Sequence, residues 1–351
     1  MSEDRDGRYV DPSLGLLAGE GSRQLVETTG EAWPARTWIW RDLPSESYRA
    51  EDPTYYDRPV LKEPVWIWAV PAYFSVGGTA GAAAVLAATA QALGGEELRG
   101  LVRRCRWVAA LGGAAGTVLL IADLGRPERF LHMMRVFRPT SAMSVGSWIL
   151  AAAASTTLGS ALLADRNGAL GRLGEAAGYA AGVLGMPLSG YTAVLLGTTV
   201  VPLWTATRRS LPHLFIGTSV SGLASLFGLL PPQSPREEAI VSRFGIAGKV
   251  VDLAAMAVVE REASRVEPVG RPLREGLSGA LWQAAKVLTA ASLALSVIPG
   301  KARAKRLAGG LLGTAGALAL RFAVFHAGRA SSRDPRATFR KQRSGRASGP
   351  L

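Results

Sequence analysis

The chain has 351 residues, 48% of them hydrophobic, and a formal net charge of +13 at pH 7. In a soluble protein this charge would suggest a nucleic-acid partner. Here the arginines lie at the ends of apolar runs and in the C-terminal tail, which is typical of membrane topology determinants, so we predict no nucleic-acid partner.

Eight apolar runs follow one another along the chain. A helix needs about 20 largely apolar residues to span a bilayer, so we predict an all-α integral membrane protein with eight transmembrane helices. The predicted spans are Val65–Leu93, Trp107–Ala122, Pro139–Ala164, Ala176–Thr207, Ser210–Pro235, Phe244–Val259, Gly276–Pro299 and Leu307–Ala327. The sixth run is weaker because it contains Lys249 and Asp252, while the seventh contains Lys286 and the eighth contains Arg321 and His326.

Four regions follow from this pattern. Residues 1–64 are a polar N-terminal arm, for which we expect little regular structure. Residues 65–207 and 208–327 each contain four spans, and residues 328–351 are a basic tail predicted to be disordered. Because the number of spans is even, both termini lie on one side of the membrane, which we call the terminal side.

A dense polar segment, Asp123–Trp148, follows the second span on the terminal side. Charge near hydrocarbon is costly, so a function is the default interpretation. Asp123 beside Arg126 suggests a carboxylate–guanidinium pair that shapes a polar pocket. The alternative is that these arginines contact lipid phosphates. His132 lies in the same segment.

Three ionisable residues lie within the later spans. Lys249 and Asp252 are three residues apart, so they share a helix face and would neutralise each other. In this interpretation Lys286 of the seventh span faces the same interior. Tyr191 places a hydroxyl near the middle of the fourth span. Such groups form proton paths or quinone pockets, or they only hold helices together.

Three segments resemble the signature of the NrfD/polysulfide-reductase membrane-subunit family. They are Asp123–Trp148, Pro187–Trp204 followed by Leu211–Phe215, and Arg321–Pro335. The resemblance extends over about residues 55–335 and implies two four-helix bundles, the first of them with the quinone site. It also implies electron exchange between membrane quinone and a ferredoxin-like 4Fe-4S subunit, which serves a molybdopterin oxidoreductase subunit.

The resemblance implies a quinone, menaquinone or ubiquinone, as bound substrate, with no metal site, haem or iron–sulfur cluster in the chain itself. The single cysteine agrees with this, because a cluster takes about four ligands. By motif, Tyr191 matches the tyrosine of the family's quinone pocket. Lys62, Glu63 and Trp66 occupy the region of the polar groups at the first helix, although the histidine or asparagine found there in the family is absent. Trp66 is alternatively an interfacial anchor.

Quinol oxidation releases two protons, so a carboxylate or imidazole must lie within reach to accept them. Asp123, Arg126 and His132 are the candidates for proton handling or for the pocket wall. The arginine-rich tail favours the cytoplasmic side for both termini, in the inner membrane of a prokaryotic cell.

Two other functions compete with the quinone-reactive subunit. One is a secondary transporter or proton-conducting protein that uses Lys249, Asp252 and Lys286 as coupling groups. The other is a passive membrane anchor for a soluble enzyme. A quinone-dependent turnover separates the anchor from the redox subunit.

Overall fold

The computed structural model describes residues 61–339, apart from 125, 127, 233, 301 and the side chain of 129, together with the backbone of 16–18 and 25–27. Two short strands, β1 (Leu16–Ala18) and β2 (Leu25–Glu27), pair antiparallel. Most of the predicted N-terminal arm and the last residues of the predicted tail lie outside the described residues.

The described part of the chain is otherwise helical. Its helices are α1 (Ala69–Leu93), α2 (Arg99–Asp123), α3 (Glu128–Met133), α4 (Ala142–Leu163), α5 (Gly168–Gly197), α6 (Pro202–Ala206), α7 (Leu211–Leu229), α8 (Pro235–Ala263), α9 (Glu267–Gly270), α10 (Gly276–Val297) and α11 (Arg303–Arg333). Short 3-10 turns, Glu96–Leu98 and Arg271–Leu273, precede α2 and α10. The helix α11 continues past the predicted boundary at residue 327.

Within the described residues, seven helices are long and apolar enough to cross a membrane: α1, α2 with its preceding turn, α4, α5, α7, α10 and α11. The helical, membrane-crossing architecture predicted from the sequence is therefore confirmed for residues 61–339 as described. Helix α8 has 29 residues but does not belong to this set. Charged residues spread along α8 lower its average apolarity.

The prediction of one continuous span over Ala176–Thr207 is wrong. Helix α5 ends at Gly197, where the Thr198 and Thr199 hydroxyls each donate to a carbonyl of the last turn at 2.7 Å. Pro202 then begins the separate helix α6. Proline lacks an amide hydrogen, so it starts a helix readily, whereas inside a helix, as at Pro187 of α5, it removes a backbone hydrogen bond.

The long helices form two sets that are contiguous in sequence. In the first helical group, α1 packs against α2 and α5, and α4 packs against α2 and α5. In the second helical group, α7 packs against α8 and α11, and α10 packs against the same two helices. The groups meet where α1 contacts α7 and α11, and where α5 contacts α7.

Small residues allow the close approach of α1 and α5. A Cβ added to Gly81 would lie 2.7 Å from the carbonyl oxygen of Gly185, which is shorter than real Cβ contacts. Small residues at helix contacts let backbones approach closely in membranes, where no hydrophobic force drives helices together. Between the groups, Phe74 of α1 packs on Phe215 of α7 with ring centroids 5.7 Å apart.

Candidate functional site

The segment that leads into α1 is fixed to three other helices. The Ile67 amide donates to Asp123 Oδ1 at 2.9 Å, so the last residue of α2 holds the start of α1. The Trp66 ring stacks on Trp204 of α6, with centroids 5.8 Å apart and planes at 15°. Trp204 is fully buried, and its indole donates to the Val324 carbonyl of α11 at 3.0 Å. Trp66 is therefore partly buried against α6, on the side where α1 begins.

Glu63 ties the start of α1 to the end of α11. Its side chain is 12% exposed and forms ion pairs with Arg329 and, at 2.7 Å, with Arg333. Two guanidinium partners satisfy the carboxylate lone pairs, as charge-assisted hydrogen bonds do at partly buried sites. Lys62 is exposed next to them. The structure thus gives Glu63 a structural contact that the sequence did not indicate.

Tyr191 joins α5 to the beginning of α4. Its hydroxyl donates to the Ala142 carbonyl at 2.8 Å. The ring lies against Gly146, where an added Cβ would be 2.8 Å from Tyr191 Cε1. Because α5 ends at Gly197, Tyr191 lies near the end of its helix and not near the middle, as predicted from the longer span.

The polar segment after α2 lies on the start of α4. Arg126 and His132 are both exposed, and His132 is in the short helix α3. The Arg138 amide donates to Ser144 Oγ at 3.0 Å, and Phe137 meets Trp148 edge to face at 6.1 Å. Much of the motif therefore fixes the loop to α4.

The predicted ion pair between Asp123 and Arg126 is wrong. Within the described residues these side chains form no ion pair, and the Ile67 amide takes Asp123 Oδ1 instead. The second carboxylate oxygen of Asp123 makes no hydrogen bond to any described residue. The Asp123 carboxylate accepts from the amide that the fold brings close to it. That amide belongs to Ile67, in the segment before α1.

The ionisable residues of the second helical group each have a different partner. Lys249 donates to Ser296 Oγ of α10 at 2.8 Å, and Asp252 accepts from the Thr218 hydroxyl of α7 at 2.7 Å. Lys286 pairs with Glu260 Oε1 at 2.8 Å. The prediction that Lys249 and Asp252 neutralise each other is therefore wrong, because among the described residues no ion pair joins them.

We compared the chain with known protein families. A family model described as polysulphide reductase, NrfD, matches residues 62–259, which is more than half of the chain. The chain belongs to the NrfD family. Among curated proteins, none matches it. The resemblance seen in the sequence motifs is therefore confirmed.

NrfD membership implies a membrane subunit of a respiratory oxidoreductase complex. Together with the seven apolar helices, it identifies the chain as a multi-pass membrane protein. The matched residues begin before α1 and end near the end of α8, so the NrfD match covers the first helical group completely. Helices α10 and α11 lie beyond it.

Two residues of this NrfD chain were not selected from the sequence. Tyr73 of α1 is buried between α1 and α2, where an added Cβ on Gly116 would lie 3.1 Å from its ring. Its hydroxyl makes no hydrogen bond to any described residue, although buried tyrosines usually have a partner. The small residues Gly77 of α1 and Gly116 of α2, against which the Tyr73 ring packs, were the available signal.

Arg321 of α11 is the second such residue and is only 1% exposed. It donates through Nη2 to the Phe215 carbonyl at 2.8 Å and to Ser219 Oγ at 2.9 Å. Its guanidinium carbon lies 3.8 Å from the centre of the Phe215 ring. The arginine was visible in the eighth run, but its helix partners are far away in sequence.

Proposed function

We propose that the chain exchanges electrons between the membrane quinone pool and a ferredoxin-like 4Fe-4S subunit, which serves a molybdopterin oxidoreductase subunit. Family membership supports this proposal, because NrfD proteins are membrane subunits of respiratory oxidoreductase complexes. The quinone would bind in the first helical group, near the terminal side. Tyr191, Tyr73 and Asp123 are the side chains that would meet it there.

One observation carries the proposal: Asp123 is a partly buried carboxylate with one oxygen held by the Ile67 amide and the other free of hydrogen bonds within the described residues. Oxidation of a quinol sends two electrons to the partner and releases two protons, so a positioned proton acceptor is required. Tyr73 of α1 packs against Gly116 of α2, which precedes Asp123 on that helix by about 10 Å at 1.5 Å per residue. Its unpartnered hydroxyl suits a quinone carbonyl.

A docking surface for the iron–sulfur subunit would lie beside this site. Trp68 is 66% exposed, and Leu131, Val136 and Phe137 are exposed in the segment after α2. Exposed apolar side chains close to one another, with arginines around them, are typical of protein–protein interfaces. Arg126 and Arg138 are exposed in the same segment and would meet acidic groups of the partner.

We also propose that α8 is an eighth span and that the two helical groups are four-helix bundles. At 1.5 Å per residue, its 29 residues extend about 43 Å, more than the roughly 30 Å of hydrocarbon. Lys249 and Asp252 are buried among neighbouring helices, whereas Val250, Val251 and Val258 are exposed. Polar groups inward and apolar groups outward are what a lipid-facing helix requires.

The Glu63 ion pairs support placing both ends of the helical region on one side of the membrane, since they join residues before α1 to the end of α11. The basic tail then favours the cytoplasmic side of a prokaryotic cell membrane. Protease digestion tests this orientation. Cleavage of the tail in intact cells would overturn it, and cleavage only after lysis would support it.

The main test uses the chain in its native complex, purified from membranes in mild detergent. Reduction of the iron–sulfur clusters by a short-chain menaquinol analogue is followed spectroscopically. The Asp123→Asn variant keeps an acceptor for the Ile67 amide but removes the proton acceptor, so cluster reduction should slow about 100-fold. The matched control is Asp165→Asn, at an exposed carboxylate between α4 and α5, which should leave the rate unchanged.

Three outcomes separate the competing functions. If the Asp123→Asn complex has its normal subunits but its iron–sulfur clusters are reduced slowly by quinol, the result supports the proposed redox function. Co-purification of the iron–sulfur subunit without any quinol response indicates a passive anchor. A chain that purifies alone and ignores quinol overturns the proposal.

Proton conduction through the second helical group is the second candidate function. It is favoured by Asp252, which is fully buried and has one oxygen, Oδ2, without a hydrogen bond to any described residue. Lys249 is buried three residues before it. Proton uptake into vesicles that contain the purified chain, abolished by Asp252→Asn, would establish it.

A further inference from the structure

A groove of about 420 Å³ lies where the two helical groups meet, between α1, α2, α7 and α11. Its volume falls within the range of about 300–1,000 Å³ that small-molecule sites occupy. Leu111 and Leu318 belong to its lining and are 63% and 43% exposed, so the groove opens on the outer surface of the helices. In a membrane this opening faces lipid.

Two lining residues carry polar atoms that the protein leaves unused. Arg321 Nε and Nη1 and Thr314 Oγ1 are buried and make no hydrogen bond to any described residue. Ser75 and Thr79, which also line the groove, donate to carbonyls of their own helix instead. Buried polar groups nearly always have a partner, so the groove suits a ligand that accepts hydrogen bonds.

The charge around the groove favours a neutral ligand. Asp252 lies beyond ion-pair distance of Arg321 but acts on it electrostatically, and it is bound to Thr218 of the groove lining at 2.7 Å. The carboxylate therefore offsets the guanidinium charge in this low-dielectric region. An anionic ligand would have to compete with Asp252, whereas a carbonyl oxygen would not.

The depth of the groove excludes phospholipid headgroups. At 1.5 Å per residue, Arg321 lies about 18 Å along α11 from Arg333 and about 27 Å from Arg303. The hydrocarbon layer is about 30 Å thick, so the guanidinium lies within it and not in either headgroup region. A lipid that carries a carbonyl to this depth must be neutral and apolar overall.

We propose that the groove binds an isoprenoid quinone, as a second site separate from the one near Tyr191. A ring carbonyl accepts from Arg321, the Thr314 hydroxyl donates to the ring oxygens, and the isoprenoid tail leaves past Leu111 and Leu318. This inference rests on the proposed function, because it assumes that the chain uses quinone. The groove would be a second binding site for quinone, at the junction of the two helical groups.

The test is photolabelling of the complex in membranes with an azido-substituted isoprenoid quinone, followed by mapping of the labelled peptides. Labelling is expected on α11 around the groove and separately at α4 and α5 near Tyr191. Excess unlabelled menaquinone should remove both signals.

Two substitutions probe the groove without breaking helix contacts. Ala115 lines the groove and is exposed, so Ala115→Phe should fill the opening and lower groove labelling about tenfold. Ala114 is exposed but does not line the groove, so Ala114→Phe is the matched control and should change nothing. Thr314→Val should lower groove labelling about fivefold, as loss of one hydrogen bond does, and leave the Tyr191 region unchanged.

The outcomes distinguish this proposal from the function on which it rests. Labelling confined to α4 and α5, or groove labelling that Ala115→Phe leaves intact, overturns the groove site and leaves the proposed function standing. Equal groove labelling by a photoreactive phospholipid, without competition by menaquinone, also overturns it. Absence of quinone labelling anywhere on the chain overturns both.

Discussion

The two helical groups place their charged side chains in opposite ways. In the first group, Asp123 and Glu63 lie at the side where α1 begins, and Arg106 pairs with Glu175 at 3.1 Å toward the other side. In the second group, Asp252 and Arg321 are fully buried midway along their helices. The first group thus keeps its charged side chains toward its two ends, and the second builds charge into its core.

The positions of the charged side chains suit the first group to ligand and proton exchange and make the second group sensitive in its stability. An interior whose charged groups lie toward its ends admits an apolar ring and exchanges protons at an end. A charged interior costs much desolvation free energy, which is offset only while every partner stays in place. We therefore expect substitutions in the second group to act mainly on stability, and substitutions at the end of the first group to act mainly on turnover.

The largest expected effect on stability is that of Arg321→Met. It removes the partner that offsets Asp252 and leaves a buried carboxylate uncompensated, which typically costs about 3–5 kcal/mol. The midpoint of thermal unfolding in detergent measures it. Adding Asp252→Asn to the same chain should recover part of the loss. If Arg321→Met unfolds at the same midpoint as the wild type, the charges of Arg321 and Asp252 are not energetically coupled.

The next effect is expected where α6 meets α11. A Cβ added to Gly328 would lie 2.1 Å from the Trp204 ring, so Gly328→Ala should destabilise the protein by about 1–3 kcal/mol through overpacking. The control is Gly159→Ala in α4, where the nearest atom lies 3.9 Å away. That substitution should be neutral or stabilising by about 0.5–1 kcal/mol, since alanine favours helix more than glycine.

A smaller loss of stability is expected for Tyr191→Phe. The Ala142 carbonyl loses one hydrogen bond, which is worth about 0.5–1.5 kcal/mol. Quinol-dependent cluster reduction should fall about tenfold or more if the hydroxyl also positions the ring of the quinone. Thr198→Val, at an exposed hydroxyl about two turns further along the chain, should leave turnover unchanged. If both variants turn over like the wild type, Tyr191 is only a link between helices.

The smallest effect concerns Asp334, beyond the end of α11. Burial raises the pKa of this carboxyl above its ordinary value of 3.8, although amide donors from Arg336 and Ala337 oppose the shift. The folded protein then holds the proton to higher pH than the unfolded chain, so stability falls as pH rises from 3.8 through the raised pKa. Asp334→Asn should remove this slope and be slightly more stable at neutral pH.

Unfolding midpoints between pH 3 and pH 7 check this last prediction. The wild type and Asp334→Asn should agree at the acid end and diverge as pH rises. The asparagine still accepts the Arg336 amide, which the aspartate binds at 2.8 Å, so the comparison isolates the charge. Parallel curves would contradict the prediction.

Most of the architecture was predictable from the sequence because apolar run length is a strong signal in membranes. The first run was predicted to end at Leu93, where α1 does end. The motif after α2 also identified the family. The break after Gly197 was not predicted, because the apolar run continues through it and only Pro202 marks the new helix.

The partners of the site residues were not predictable in the same way. Spacing places Lys249 and Asp252 on one face of α8, but the facing helices decide what meets each of them. Thr218 lies 34 residues before Asp252, and Ser296 lies 47 residues after Lys249. A single sequence carries no signal of such pairings, and the same holds for the Ile67 amide at Asp123.

The contact of Glu63 with Arg329 and Arg333 has a consequence for biosynthesis. The acidic residue leaves the ribosome long before its basic partners, since 266 residues separate Glu63 from Arg329. Until the last helix has been inserted, the carboxylate waits at the membrane surface without them. A nascent chain halted before residue 329 would therefore lack the ion pairs that hold the start of α1 to α11. Such incomplete products would be exposed to quality-control proteases.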